Sequence, residues 1–168
     1  MANILILRNA NTSDKDIKTG VAEVELENGF GVALGEVSTN RKDRNAYKVA
    51  AATADTDLVG LVYNADVPFL TDAAGNVYKG IVSDPRNIKF PKGTPVNILM
   101  PSVGAEIAMT EVAGVATDAK YVVYKANDMK ATYATDTTDA IRAFKITGNK
   151  YVSIGAERVP TVEMICVK

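Results

Sequence analysis

Few residues in this chain are of types that do chemistry, and their spacing is informative. Asp14 and Asp16, and again Asp55 and Asp57, form Asp-x-Asp pairs. Paired carboxylates of this kind hold Ca²⁺ when a loop adds further oxygens. Neither pair is followed by both the position-six Gly and the position-twelve Glu of an EF-hand loop, so both read as solvated loop carboxylates. Gly29, Gly31 and Gly35 superficially resemble a phosphate-binding loop. Their spacing is Gly-x-Gly-x-x-x-Gly, and the strand–turn–helix context of a dinucleotide fingerprint does not follow. Asp84-Pro85 initiates a turn, with Arg86 beside it as a candidate binding group. Arg41, Lys42 and Arg44 form a short basic cluster broken by Asp43. They suit an acidic partner surface or simply a solvated loop. No aromatic residue interleaves with them, so stacking on nucleic-acid bases is unsupported. The single thiol, Cys166, alternates with Val162 and Met164 on the inward face of the last strand, which marks it as a buried, inert group.

What is missing narrows the chemistry further. The 168 residues include no His, no Trp and one Cys. The usual general base near neutral pH is therefore lacking. His-dependent triads, His zinc sites, Cys clusters and an intrachain disulfide are impossible within this sequence. Lys, Tyr or paired-carboxylate chemistry is what remains, and the expectation is a non-enzymatic protein with no cofactor or metal. With 19 Lys and Arg against 20 Asp and Glu, the net charge is −1. Such a balance supplies no basic field for nucleic acid and no polybasic patch for a membrane. The apolar run Ile4-Leu5-Ile6-Leu7 is shorter than the roughly 7–15 residues of a secretory h-region, and no window reaches the ~18 apolar residues of a membrane span.

The elements that carry these residues repeat with a period of two. In Val21 to Glu27, Ala22, Val24 and Leu26 alternate with Glu23, Glu25 and Glu27, the pattern of a half-buried strand. Asn28-Gly29 predicts a type I′ hairpin into a partner strand over Phe30 to Val37. Further strands are expected at Tyr47 to Ala52, Leu58 to Tyr63, Val77 to Val82, Val96 to Met100 and Ile107 to Val112. Tyr121 to Lys125 and Met129 to Ala134 flank an Asn127-Asp128 turn. Ala140 to Thr147 and Lys150 to Ile154 flank Gly148-Asn149, read as another tight hairpin, and Thr161 to Lys168 closes the chain. About ten short, mainly antiparallel strands at this spacing define an all-β sandwich or barrel. Of the tyrosines, Tyr121 and Tyr124 point to opposite faces of one strand, so one of them is a candidate for an interface.

The N-terminus stands apart. Met1 to Leu7 is apolar and β-prone, and the polar stretch Asn9 to Thr19 separates it from the first clear strand. Residues 1–20 are therefore read as an extended arm and linker, and 21–168 as a single β domain. An apolar strand must pair with something. Ile4, Leu5, Ile6 and Leu7 either join the chain's own sheet or add to the sheet edge of a neighbouring subunit or partner. Together with Arg41, Lys42 and Arg44 they are the candidate partner-binding residues.

The succession of short strands resembles the decoration, or cement, proteins of tailed-bacteriophage heads and related virion β modules. It is carried by Gly29 to Val37, Tyr47-Lys48-Val49-Ala50, Leu58 to Asn64, Phe90-Pro91-Lys92-Gly93-Thr94-Pro95-Val96-Asn97 and Val103 to Thr110. Ala119 to Tyr124 with Met129-Lys130-Ala131, and the pair Ala143 to Ile146 and Val159 to Val167, complete it. The resemblance covers about Val21 to Val167 as a rhythm of strands rather than a motif, and no catalytic residue is carried over. It implies a virion structural protein on the capsid exterior, made in the host cytoplasm, bound to the major capsid protein and acting as a homotrimer that stabilises the shell. Two other readings stay open. One is a major shell, tail-tube or head-fibre component. The other is a peptide- or carbohydrate-binding β module, which the absence of Trp disfavours for sugars.

Overall fold

The computed structural model describes residues 4–10, 16–40, 45–54, 57–63, 69–71, 77–79, 86, 88–154 and 156–168. Among these the chain is all-β, with thirteen strands. They are β1 (Leu5–Asn9), β2 (Ile17–Ala22), β3 (Gly31–Val37), β4 (Tyr47–Ala50), β5 (Val59–Val62), β6 (Phe69–Thr71), β7 (Val77–Lys79), β8 (Pro95–Leu99), β9 (Glu106–Met109), β10 (Tyr121–Lys125), β11 (Thr132–Ala134), β12 (Ala140–Ile154) and β13 (Glu157–Cys166). Five close into a small barrel in the order β2-β4-β3-β5-β8. Six form an antiparallel sheet in the order β1-β9-β13-β12-β10-β11, and β6 and β7 pair with each other.

The apolar runs explain why barrel and sheet pack together. Residues Val59-Gly60-Leu61-Val62 of β5 are all buried. Neighbouring side chains on a strand point to opposite faces, so such a run suits a strand covered on both sides. Val62 joins Val32, Val49, Val96 and Ile98 in one core cluster with Leu26, Ile88 and Phe90. Leu61 of β5 and Leu99 of β8 point the other way and pack with Ile107, Met109, Val122, Tyr124, Phe144, Met164 and Cys166 of the sheet. One wall of the barrel is thus the floor of the sheet's core.

Tyr124 pins that junction. It is 1% exposed, and its hydroxyl donates to the Gly29 carbonyl oxygen at 2.7 Å. Its ring meets Phe144 edge to face at 6.2 Å between centroids. Across the barrel side it covers Gly31, where an added Cβ would lie 2.4 Å from the ring. The Gly31 amide donates to the Met129 carbonyl at 2.7 Å, a further backbone link between barrel and sheet.

Several sequence expectations are corrected. Of the two settings open to the first strand it takes the one in its own sheet: β1 pairs antiparallel with β9, Leu5 opposite Met109 and Leu7 opposite Ile107. The polar stretch ends in β2, which starts at Ile17 and forms barrel wall with β4 and β8. Tertiary pairing there overrides weak local propensity. Asn28-Gly29 makes a turn but no hairpin, because β4 lies between β2 and β3. Gly29 takes a φ of 80° while Asn28 does not enter that region, so the type I′ pair is incomplete. The alternation from Ala22 breaks at a bend over residues 23–24, leaving Val24 40% exposed. Gly148-Asn149 is not a turn either. β12 runs on to Ile154, and Gly148 marks a bulge between Ile146 and its neighbour as β12 pairs with β13. A glycine inside a strand pattern often marks such a bulge.

These contacts set an expected contrast between two glycines. Gly31→Ala drives a methyl into the Tyr124 ring and should destabilise the fold by about 1–3 kcal/mol, the usual cost of overpacking. Gly148→Ala meets nothing within 4 Å and should be close to neutral. Urea unfolding of both variants against wild type checks this.

Candidate interaction surface

The candidate residues at the N-terminus sit at the outer edge of the six-stranded sheet. The Ile4 amide donates to Thr110 Oγ1 at 2.9 Å, and Ile4 accepts from the Thr110 amide. In an antiparallel ladder the bonded pairs alternate. Ile6 therefore turns its backbone groups towards Ala108, and those of Leu5 and Leu7 face outward. The Leu5 side chain is buried in the core and Leu7 packs against it, while Ile6 lies half-buried on the opposite face. Arg8 anchors the strand through a two-pronged contact with Glu163, at 3.2 and 2.9 Å. The apolar side chains at Leu5 and Leu7 thus serve the chain's own core, and what β1 presents outward is backbone. Arg41, Lys42 and Arg44 lie outside the described residues.

The sequence reading missed the most prominent surface feature. β12 pairs with β10 as far as Lys145, and β13 pairs with β9 as far as Val162. Beyond them Asn149 to Ile154 and Glu157 to Thr161 pair only with each other among the described residues. At about 3.3 Å per residue the ribbon extends roughly 20 Å past the ends of β9 and β10. One face carries Tyr151, Ser153, Arg158 and Pro160, all exposed. The Arg158 guanidinium lies over the Tyr151 ring at 4.9 Å. The other face is anchored: Val159 and Thr161 are buried, and Glu157 pairs with Arg86 at 2.7 Å. The signal was present in the alternation from Lys150 to Ile154, but Gly148-Asn149 drew the turn to the wrong place.

The remaining reactive groups are in structural use. The Asp57 carboxylate accepts the Thr53 and Ala54 amides at 2.7 and 3.0 Å, and these bonds hold it below the ordinary carboxylate range. Asp16 is buried; Asp14 and Asp55 lie outside the described residues. Cys166 is buried in the sheet core, and burial pushes its thiol up despite the opposing Arg142 guanidinium. Arg142 itself clasps sheet to barrel, donating to the Val59 carbonyl at 3.1 and 2.7 Å and to the Pro101 carbonyl at 3.1 Å. Gly29, Gly31 and Gly35 lead into β3, not a helix. A small cleft of about 140 Å³ opens between Glu27, Phe30, Glu111 and Lys130. Among the described residues no group of three or more Cys, Asp or Glu is placed to hold a metal ion, and no helix is long and apolar enough to cross a membrane. The chain matches no family model, no curated protein and no solved structure.

The setting of Cys166 makes a reactivity prediction. A thiol reagent should label it on the order of a hundredfold or more slowly in the native protein than in urea, because attack requires both opening and thiolate formation. The raised pKa means the folded state holds the thiol proton to higher pH than a free cysteine does. Protection should therefore reach higher pH than for a free thiol, and Arg142→Ala, which unclasps this corner, should speed labelling through easier opening although it removes the cation that lowers the thiol pKa. Timed labelling followed by mass measurement checks each point.

Proposed function

We propose that this chain is a non-enzymatic virion structural protein that binds the outer surface of a tailed-phage capsid and stabilises it. The observation that carries the reading is the form of its outward surface: an edge strand whose outward backbone groups at Leu5 and Leu7 meet no partner among the described residues, and a two-stranded ribbon with one exposed face, both built on a doubly packed β core. Edge strands and ribbons of this kind recognise partners by strand addition and by shape. Repeated attachment to a lattice converts modest contacts into firm retention. A protein that binds the assembled shell in preference to its free subunits stabilises the shell by mass action. The resemblance to cement proteins points the same way. On this reading β1 contacts the major capsid protein through the outward backbone groups of Leu5 and Leu7.

Purified protein mixed with undecorated capsids should co-sediment with them and raise their disassembly temperature. Leu7→Pro removes one outward donor while leaving the Ile6 bonds to β9, and should weaken co-sedimentation while the protein stays folded. Absence of both co-sedimentation and thermal protection with the wild-type protein would sink the proposal.

A further inference from the structure

We infer that the β12–β13 ribbon of one copy docks into the β3–β4 groove of another, so that the chain associates with itself head to tail. The ribbon supplies a cation on an aromatic platform. Arg158 stacks on Tyr151, and among the described residues no carboxylate pairs with it. Glu157, on the opposite face of the ribbon, is matched by Arg86. Tyr and Arg are the side chains most enriched where interface energy concentrates, and here they protrude instead of packing.

The groove offers the complement. It is open, with a volume of about 410 Å³, and its lining includes Glu23, Glu36, Asp57 and Lys48 around Ala33 and Ala50, which face each other across β3 and β4. That volume is comparable with the roughly 300–1,000 Å³ of clefts that hold small ligands. Among the described residues that line it, three carboxylates stand against one ammonium, an excess of negative charge. Among the described residues no ion pair engages Glu23 or Glu36, and both are exposed. An aromatic ring can lie on Ala33 and Ala50 while the guanidinium beside it meets a carboxylate. The two surfaces are different patches of the same chain, so the contact is heterologous and repeats around a ring or along a row. This does not rest on the capsid reading, because association of the pure protein needs no shell.

Charge reversal tests the contact. Wild-type protein at tens of micromolar should sediment as a species of two or more chains. Arg158→Glu and Glu36→Lys should each weaken association by about tenfold or more, since each sets like charges against each other. An equimolar mixture of the two variants should associate again. The reversed ribbon of Arg158→Glu fits the reversed groove of Glu36→Lys, and the remaining ribbon and groove are wild type. Both positions are exposed, and unchanged urea midpoints establish that the variants fold. Tyr151→Ser provides a reading free of charge change and should also weaken association. A wild-type protein that stays monomeric, single variants that associate like wild type, or a mixture that fails to recover overturns the inference.

Discussion

Everything in this fold depends on how closely the barrel and the sheet approach, and that distance is set where Tyr124 lies on Gly31. The ring occupies the space a side chain at position 31 would need. Its hydroxyl reaches through to the Gly29 carbonyl, beyond the ring. A buried hydroxyl without a partner costs about 1–3 kcal/mol, so the donation to Gly29 matters more for the loss it prevents than for its modest net gain. Burial without a charged partner pushes the phenol far above its ordinary range, keeping it protonated and able to donate. The contact therefore fixes both spacing and rotation of the two units.

Once they are held together, the apolar strands of the barrel acquire a second buried face. Leu61 and Leu99 would be exposed on an isolated barrel, and the sheet face that includes Met109, Phe144 and Met164 would be bare without that wall. Arg142 adds a polar clasp at another corner by capping the Val59 and Pro101 carbonyls. Five guanidinium donors in a rigid fork suit this task, since one side chain can satisfy carbonyls from several segments. The interior is thus committed to adhesion between its own parts, and the groups left for other molecules are backbone edges, the ribbon and the barrel's outer groove.

Much of the fold was legible in the sequence because strand alternation and turn residues are local signals. β5, β8, β9, β10 and β13 lie close to where period-two runs and flanking turn residues place them. The inward setting of Val162, Met164 and Cys166 was likewise readable. Pairing was not. Asn28-Gly29 marks a reversal, but no local signal says that β4 inserts between the strands on either side. Ile17 to Ala22 is polar enough to pass for linker until β4 and β8 complete its ladder. Arg142, whose partners lie 83 and 41 residues away, carries no local signal of its clasp. The candidate surface was harder still, because projection is a property of neighbours. Tyr151 falls in the hairpin expected around Gly148-Asn149 and Arg158 in no expected strand, and the two come together on one exposed face only because β12 and β13 run on past the ends of β9 and β10.

The same argument explains why the ribbon is usable at all. A two-stranded hairpin alone is marginally stable in water and would lose conformational freedom on binding. Here its strands continue directly into the central pair of the sheet, so its register is set by β12 and β13 within the core. Its inner face is held by buried Val159 and by the Arg86–Glu157 ion pair. The outer face can then present Tyr151 and Arg158 already stacked, with their geometry determined before any partner arrives. The cost of ordering those two side chains falls on folding rather than on recognition. That assigns stability to the junction at Tyr124 of β10 and contact to the ribbon of the neighbouring β12–β13 pair.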